Sequence, residues 1–329
     1  MHRVFFWIFL PLYLWSSTAQ FDYIFIGSSP IPLIEALYRS YNGKRVLVLE
    51  SDTTIGGSWK AIDICGVSGV DMGCHQIGQD PKLKSFLEDR IGCHLVPMTT
   101  PQNQMLQSSD SGLYFAGGCY ELMSALYALI EKSTVVLLVN TKAESVYLDF
   151  DREIAEVKTK DMSFSTSKVV ITPHSSILVE NYPHLSRHST SKHYHLYLLI
   201  EDPTPPHFSY QNGICPGMSR IINVTPFSSS LQGSGYQLVA IQTFDEMSLN
   251  KGDVYFEELK KKKWIDPTAR LICAEKYIYE QAHFNLGKIN LENPKAGEFF
   301  EVLSTDAIWN IPHHTERWEK VFNIVKNPG

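Results

Sequence analysis

The feature that most constrains the fold is a strand–helix–strand pattern close to the N-terminus. An apolar run at 21–26 is followed by Gly27, and a helical pattern over 33–38 then places four apolar or aromatic side chains on one face. A second apolar run at 45–49 ends in Glu50, which lies 23 positions after Gly27 (50 minus 27). A glycine after the first strand and an acid at the tip of the second are typical of a dinucleotide-binding βαβ unit. The pattern therefore predicts an α/β fold with a Rossmann-like parallel sheet.

The glycine-rich turn of this unit departs from the usual G-x-G-x-x-G. Gly27 holds the first position, whereas Ser29 and Pro32 stand where the second and third glycines are expected. The second glycine normally lets the backbone approach a pyrophosphate, and the third lets the helix pack closely on the strand. A serine takes more space but offers a hydroxyl, and a proline is tolerated in a first helical turn. We therefore predict that Gly27, Ser28 and Ser29 lie under a pyrophosphate and that Glu50 binds the ribose.

Further motifs give the sequence a resemblance to a known family. Glu50 is followed six residues later by the pair Gly56-Gly57, and the segment 70–77 contains an aspartate, a glycine and a histidine. The segment 115–122 contains a second Gly-Gly pair, which precedes a helical pattern. Together with the βαβ unit, these motifs resemble the flavoproteins with two dinucleotide-binding domains, especially the flavin amine oxidase and phytoene desaturase-like group.

The resemblance implies a cofactor and the residues that hold it. In that family a Rossmann-like FAD/NAD(P)-binding domain with a β-meander insertion holds FAD, and a mixed α+β domain covers the flavin and shapes the substrate pocket. Gly56, Gly57 and Asp306 carry over as cofactor-binding positions, although Thr305 replaces the glycine before the aspartate. His75 is the candidate catalytic residue by family position, with a purely structural histidine as the alternative. The cofactor carries the hydride chemistry itself, so few obligatory catalytic side chains are expected.

Composition along the chain predicts the domain organisation. We predict a dinucleotide-binding domain formed by 20–173 and 287–329, and a substrate or cap domain at 174–286, where histidine, proline and aromatic residues become frequent. The elements predicted within the cap domain are strands at 195–200, 219–224 and 236–243, a helix at 252–264, and either a helix or a strand at 270–279. By resemblance, this domain is expected to form the layer over the flavin.

The N-terminal segment is typical of a targeting signal. Met1-His2-Arg3 is followed by an uncharged apolar stretch at 4–15 and by Ser17-Thr18-Ala19. A basic start, a short apolar stretch and small residues at a cleavage position are the three parts of a secretory signal peptide. The apolar stretch is shorter than the ~20 residues that cross a bilayer, and an uncleaved anchor or a buried strand are the alternatives. We predict a signal peptide at 1–19, a secreted or exported protein, and no membrane span in the mature chain.

Charge and cysteine content restrict the partners. The formal net charge of -6 and the sequence pI of about 6.1 leave no strongly basic face, which argues against nucleic acid. A small-molecule substrate is what the family resemblance implies. No CxxC pair occurs among the six cysteines, and Cys65 and Cys74 either pair across a hairpin or remain free thiols. His193 and His195 lie on one face of a strand and would suit a metal pair, but no carboxylate or cysteine stands at a confirming spacing. We therefore predict no metal site.

Two functions are compatible with these motifs. The first is an exported FAD-dependent oxidoreductase that removes a hydride from a small or apolar substrate. The alternative is a non-catalytic descendant of the same fold that has lost the flavin and binds a lipid, a peptide or a protein. The retained Glu50, Gly56-Gly57 pair and Asp306 favour the enzyme, whereas the substituted glycines of the first turn favour the alternative.

Overall fold

A computed structural model describes residues 20–72, 75, 77–78, 80–98, 112–171, 177–182, 188–202, 210–284 and 294–303. Within these residues the chain forms an eight-stranded sheet, a five-stranded sheet and two two-stranded sheets. The predicted signal peptide at 1–19 and the predicted cofactor-binding Asp306 lie outside the described residues.

The eight-stranded sheet has a parallel centre built from the strand–helix–strand unit. β1 (Gln20–Ile26) leads through α1 (Pro30–Tyr41) into β2 (Val46–Leu49), and the two strands pair in parallel. Every residue of β2 is buried, as expected for a strand covered on both faces. The other parallel strands are β7 (Val136–Leu138), β10 (Ser163–Ile171) and β17 (Phe300–Val302), in the order β7–β2–β1–β10–β17. The predicted Rossmann-like sheet is confirmed.

An antiparallel meander extends this sheet. β8 (Ala143–Asp149) and β9 (Ile154–Thr159) pair antiparallel, and β9 pairs antiparallel with the first half of β10. β10 therefore belongs to the meander at its start and to the parallel centre at its end, where it pairs with β17. The short β11 (Leu178–Val179) pairs with β8 at the outer edge. The predicted β-meander insertion is thus part of the fold.

Two helices cover one face of the parallel sheet. α1 and α3 (Gly118–Glu131) pack with Phe25 of β1 and with Val46 and Val48 of β2 in one apolar core. The alternate residues of the same strands face a second core, which the meander and α5 (Pro294–Phe299) complete. This alternation is the period of two that a strand requires. Among the described residues, no helix combines the length and the hydrophobicity that crossing a membrane requires.

Short elements connect β2 to α3. β3 (Ala61–Ile64) and β4 (Val67–Asp71) form a hairpin with a two-residue turn, and β5 (Leu95–Pro97) pairs antiparallel with β6 (Leu113–Phe115). Between the two hairpins lies α2 (Pro81–Ser85), which continues as a wider helical turn to Ile91. These hairpins lie between the parallel sheet and the second large sheet, because their side chains contribute to a core shared with the second sheet.

The second large sheet is antiparallel and contains five strands in the order β13–β14–β15–β12–β16. Its strands are β12 (His188–Glu201), β13 (Tyr210–Asn212), β14 (Met218–Asn223), β15 (Tyr236–Thr243) and β16 (Arg270–Phe284). The three predicted strands are therefore confirmed, with β12 beginning earlier than predicted. The segment predicted as either a helix or a strand is a strand, because β16 pairs with β12 along almost its whole length. The predicted domain boundaries themselves stay a prediction.

α4 (Gly252–Lys261) covers one face of this second sheet. Its Tyr255, Phe256 and Leu259 pack with the even-numbered Leu196 and Leu198 of β12. The odd-numbered Tyr197 and Leu199 of the same strand point to the other face, where they pack against β3, β4 and β6. That second face therefore lies against the β3–β4 and β5–β6 hairpins, and its side chains contribute to the candidate site.

Candidate cofactor and substrate site

The turn after β1 has the backbone conformation that a first glycine permits. Gly27 has φ of 95°, and its N–H donates to the carbonyl of Leu49 at 2.9 Å. This left-handed φ is unfavourable for residues with a Cβ, and an added Cβ would meet no atom within 4 Å. Glycine is therefore required at position 27 by the backbone angle, and the space beside Gly27 is open, as a site for a phosphate group requires.

The start of α1 offers one hydroxyl and few backbone donors. Ser29 precedes the helix, and its hydroxyl oxygen is buried without a hydrogen-bond partner in the described structure. Pro30 and Pro32 lack an N–H, so Ile31 carries the one N–H among the first three helical positions. Buried polar atoms are normally paired. The unpaired Ser29 hydroxyl therefore points to a missing polar partner at a helix start that attracts anions.

Glu50 is buried at the tip of β2 and accepts four hydrogen bonds. One carboxylate oxygen accepts from the N–H and the hydroxyl of Ser28, at 3.0 and 2.5 Å. The other accepts from the N–H of Asp52 at 2.8 Å and from the hydroxyl of Ser51 at 3.3 Å. A carboxylate has about four acceptor positions, so all are in use. Two ribose hydroxyls can replace the two serine hydroxyls without a net loss of hydrogen bonds.

The Gly56-Gly57 pair packs directly on this turn. The N–H of Gly56 donates to the carbonyl of Ser28 at 3.1 Å, and φ of Gly57 is 56°. A Cβ on Gly57 would lie 3.3 Å from the Cβ of Ser29, and one on Gly56 would lie 2.9 Å from the backbone of Lys60. Both positions therefore require glycine. The structure brings together six of the seven predicted cofactor-binding residues; the seventh, Asp306, lies outside the described residues.

His75 is held in one orientation close to this turn. Its Nε2 lies 2.7 Å from the carbonyl oxygen of Ser58 and 3.0 Å from that of Met72, and its ring stacks on Trp59 at 4.2 Å. Because both partners are acceptors, Nε2 carries the proton. Burial lowers the pKa of His75 to about 4 in spite of these two carbonyls. The imidazole is therefore neutral at physiological pH, and its Nδ1 can accept a hydrogen bond, but His75 is not a charged acid.

Asp71, in the predicted motif at 70–77, supports the start of α3. One of its carboxylate oxygens accepts from the N–H of Cys119 at 2.7 Å, and the other accepts from the hydroxyl of Tyr114. Gly118 has φ of 67°, and a Cβ there would lie 2.8 Å from the Asp71 carboxylate. Burial raises the pKa of Asp71 to about 6, against the two donors that lower it. Asp71 therefore caps a helix from a distant strand.

A row of polar side chains crosses the second sheet on the face that looks towards His75. Arg220, Gln242, His195 and Tyr277 are cross-strand neighbours in β14, β15, β12 and β16, so all four point to the same face. Nε of Arg220 donates to the amide oxygen of Gln242 at 2.5 Å. The sequence analysis missed Arg220, Gln242 and Tyr277. The alternation of side chains within each strand predicts which face each residue takes. The register between distant strands, which brings these residues into one row, is not predicted by the sequence.

His195 is the most unusual member of this row. Its side chain is buried, and neither ring nitrogen has a hydrogen-bond partner in the described structure. The ring lies beside that of Tyr279, with centroids 5.6 Å apart. Burial, together with His75, His193 and Arg220, lowers the pKa of His195 to about 3. A neutral imidazole whose donor and acceptor have no partner among the described residues therefore lies on the face that looks towards His75.

The sequence matches no family model and no curated protein, but solved structures share its architecture. A reduced UDP-galactopyranose mutase has a TM-score of 0.64 at 11 % identity, covering 94 % of this chain and 96 % of that one. A wild-type putrescine oxidase bound to putrescine has a TM-score of 0.60 at 12 % identity, covering 94 % and 100 %. NikD, an amino acid oxidase of nikkomycin biosynthesis, has a TM-score of 0.59 at 14 % identity, covering 95 % of each chain.

These comparisons define the fold of the chain. It is the fold of the FAD-binding amine oxidase-like enzymes, with a parallel nucleotide-binding sheet, a meander and a second antiparallel sheet. The similar structures include a mutase as well as oxidases. The comparisons therefore show the fold alone, and the residues of the candidate site have to supply the argument for a cofactor and a reaction.

Proposed function

We propose that this protein is an FAD-dependent oxidoreductase that acts on a small-molecule substrate. The observation that carries the proposal is the cluster at the nucleotide-binding turn: open space beside Gly27, an unpaired buried hydroxyl on Ser29, and the buried carboxylate of Glu50. These groups match the needs of a pyrophosphate and a ribose in a fold that FAD-binding enzymes share. The residues present therefore fit the cofactor.

Each of these groups would hold a different part of the cofactor. Ser29 and the N–H of Ile31 would donate to the pyrophosphate, and Glu50 would accept from the ribose hydroxyls. When bound, FAD supplies the acceptor for a hydride and passes the electrons on. The protein then has to orient the substrate, exclude water and keep the surrounding groups in fixed protonation states.

The substrate is proposed to lie against the polar row of the second sheet. His195 offers a donor and an acceptor that have no partner among the described residues, and Tyr277 and Tyr279 offer planar rings beside it. His195 and His75 both have pKa values well below neutrality, so neither repels a protonated amine. A small, planar or apolar molecule with at least one hydrogen-bonding group suits this face.

Flavin retention tests the proposal directly. The purified full-length chain is expected to be yellow, or to gain flavin absorbance and quench flavin fluorescence when FAD is added to the apoprotein. Pro32→Gly restores an N–H at the helix start and is expected to strengthen that binding, whereas Ser29→Gly removes the hydroxyl donor and is expected to weaken it. A colourless protein that gains no absorbance with added FAD would contradict the enzyme and support the alternative, a flavin-free descendant that binds a lipid, peptide or protein.

We also propose that residues 1–19 are a cleaved signal peptide and that the protein is exported. The support is the sequence pattern of a basic start, a short apolar stretch and Ser17-Thr18-Ala19. N-terminal sequencing of the exported protein is expected to begin at Gln20. A chain that keeps Met1, or that stays inside the cell, would contradict this part of the proposal.

A further inference from the structure

The turn between β3 and β4 places a cysteine in an unfavourable backbone conformation. Cys65 and Gly66 form the two-residue turn, with φ of 51° and 73°. Such turns favour glycine, asparagine or aspartate at both positions, because a left-handed φ crowds the Cβ of other residues. Residues held in sparsely populated backbone regions concentrate at functional sites. The position of Cys65 therefore calls for an explanation beyond turn formation.

The tertiary structure brings three metal-ligating groups together at this turn. The Sγ atoms of Cys65 and Cys273 and a carboxylate oxygen of Glu275 all lie within 4.8 Å of one another. The N–H of Cys65 also donates to the Glu275 carboxylate at 2.5 Å, across 210 positions of sequence. Cys273 and Glu275 are two residues apart on β16, so their side chains share one face of the sheet.

The electrostatics of the cluster favour a cation. Burial, the neighbouring Cys273 thiol and the Glu275 carboxylate together raise the pKa of the Cys65 thiol. None of the three groups carries a positive charge in either protonation state, and coordination to a divalent ion stabilises thiolates and carboxylates together.

We propose that Cys65, Cys273 and Glu275 bind one thiophilic divalent cation of the zinc type, with a fourth position open to solvent. Two sulfurs and one oxygen are ligands that Zn²⁺ accepts, and tetrahedral coordination at ordinary bond lengths separates such ligand atoms by about 3.6–3.8 Å. The observed separations need a closure of at most about 1 Å to reach this geometry. The ion would join the β3–β4 turn to β16 of the second sheet.

A disulfide between the two cysteines is the competing outcome, and the structure favours it less. Cys65 and Cys273 are both free thiols in the described structure. The Glu275 carboxylate has no part in a disulfide, whereas it completes a three-ligand site. Cys215, a half-buried thiol outside the cluster, provides a matched control.

Cobalt is the probe for this site. The reduced, metal-free, full-length chain is expected to bind one Co²⁺ per molecule with a sulfur-to-cobalt charge-transfer band, which Zn²⁺ displaces. Cys65→Ser and Cys273→Ser should abolish the band, Glu275→Gln should weaken Co²⁺ binding about 10-fold or more, and Cys215→Ser should leave it unchanged. Glu275 is exposed, so its variant is expected to fold even where a cysteine variant does not.

Three outcomes of measurements on the same samples would overturn the proposal. A wild-type chain without the charge-transfer band, or a band that survives both Cys65→Ser and Glu275→Gln, excludes the site. A disulfide between Cys65 and Cys273, found by peptide mass analysis of protein isolated without reductant, excludes it as well. None of these readouts depends on flavin, so their failure is distinguishable from failure of the proposed oxidoreductase.

Discussion

Glu50 shows how one residue can prepare a site before a ligand arrives. Two backbone N–H groups hold its carboxylate in place, and two serine hydroxyls occupy the remaining acceptor positions. Hydroxyls on side chains rotate away easily, whereas backbone donors do not. The orientation of the carboxylate is therefore fixed by the fold, and its exchangeable partners are the two serines.

We expect Glu50→Gln to weaken FAD binding about 10- to 100-fold, because a charged acceptor is lost from a buried site. Ser28→Ala removes a hydroxyl that competes with the ribose, so it should leave FAD affinity unchanged or higher. Fluorescence titration of the apoproteins with FAD measures both. An equal loss of affinity in the two variants would show that Glu50 does not contact the cofactor.

Among the elements, α1 carries the largest departure from the usual motif. Pro30 and Pro32 fit the first helical turn sterically, but they remove two N–H donors from the end where we propose that the pyrophosphate lies. The two prolines therefore preserve the helix while they weaken the proposed phosphate site. Ser29 compensates in part, because its hydroxyl replaces a lost donor.

Pro30→Ala and Pro32→Ala should each strengthen FAD binding about 2- to 5-fold, since a restored N–H at a helix start is worth ~0.3–1 kcal/mol towards an anion. Pro81→Ala, in the first turn of α2, is the matched control. All three changes should lower the free energy of unfolding by ~0.4–1 kcal/mol, whereas affinity should rise only for the two changes in α1. A gain with Pro81→Ala would contradict the assignment of the phosphate site.

Sequence periodicity predicts the type of some helices and strands but not of all. The apolar pattern predicted α1, β2 and β15 close to their observed bounds, because each pattern depends on residues within one element. The same pattern did not distinguish a helix from a strand at 270–279. This segment is a strand because it pairs with β12, and that pairing joins residues about seventy positions apart, such as Leu199 and Cys273.

At the scale of the whole molecule, the interface between the two large sheets contains buried groups with opposite pH dependences. His195 and His75 have pKa values near 3 and 4, below the ordinary value of 6.5, so their contribution to stability is present above pH 6.5 and is lost as the pH falls. Asp71 has a pKa near 6, above its ordinary 3.8, so its contribution is lost as the pH rises from about 4 to 6. Because two histidines oppose one aspartate, the net free energy of unfolding falls as the pH decreases below 7.

We therefore expect the free energy of unfolding to fall by about 2–3 kcal/mol between pH 7 and pH 5. His195→Phe removes one titrating group from an apolar position and should reduce that fall by about 2 kcal/mol. Asp71→Asn removes the opposing group and should make the fall steeper. Urea unfolding at the two pH values measures all three proteins, and a stability that is flat or that rises towards pH 5 would contradict the expectation.

The sequence by itself determined the strand–helix–strand unit, the place of Glu50 and the glycine pair, because the relevant spacings lie within about thirty neighbouring residues. Only the tertiary structure decided which side chains meet across the sheets. The row of Arg220, Gln242, His195 and Tyr277 depends on strand register, and the meeting of Cys65 with Cys273 depends on a hairpin packing against a strand about two hundred positions away. Local periodicity encodes which face a residue takes within its own element, whereas contacts between distant elements depend on how the whole core packs.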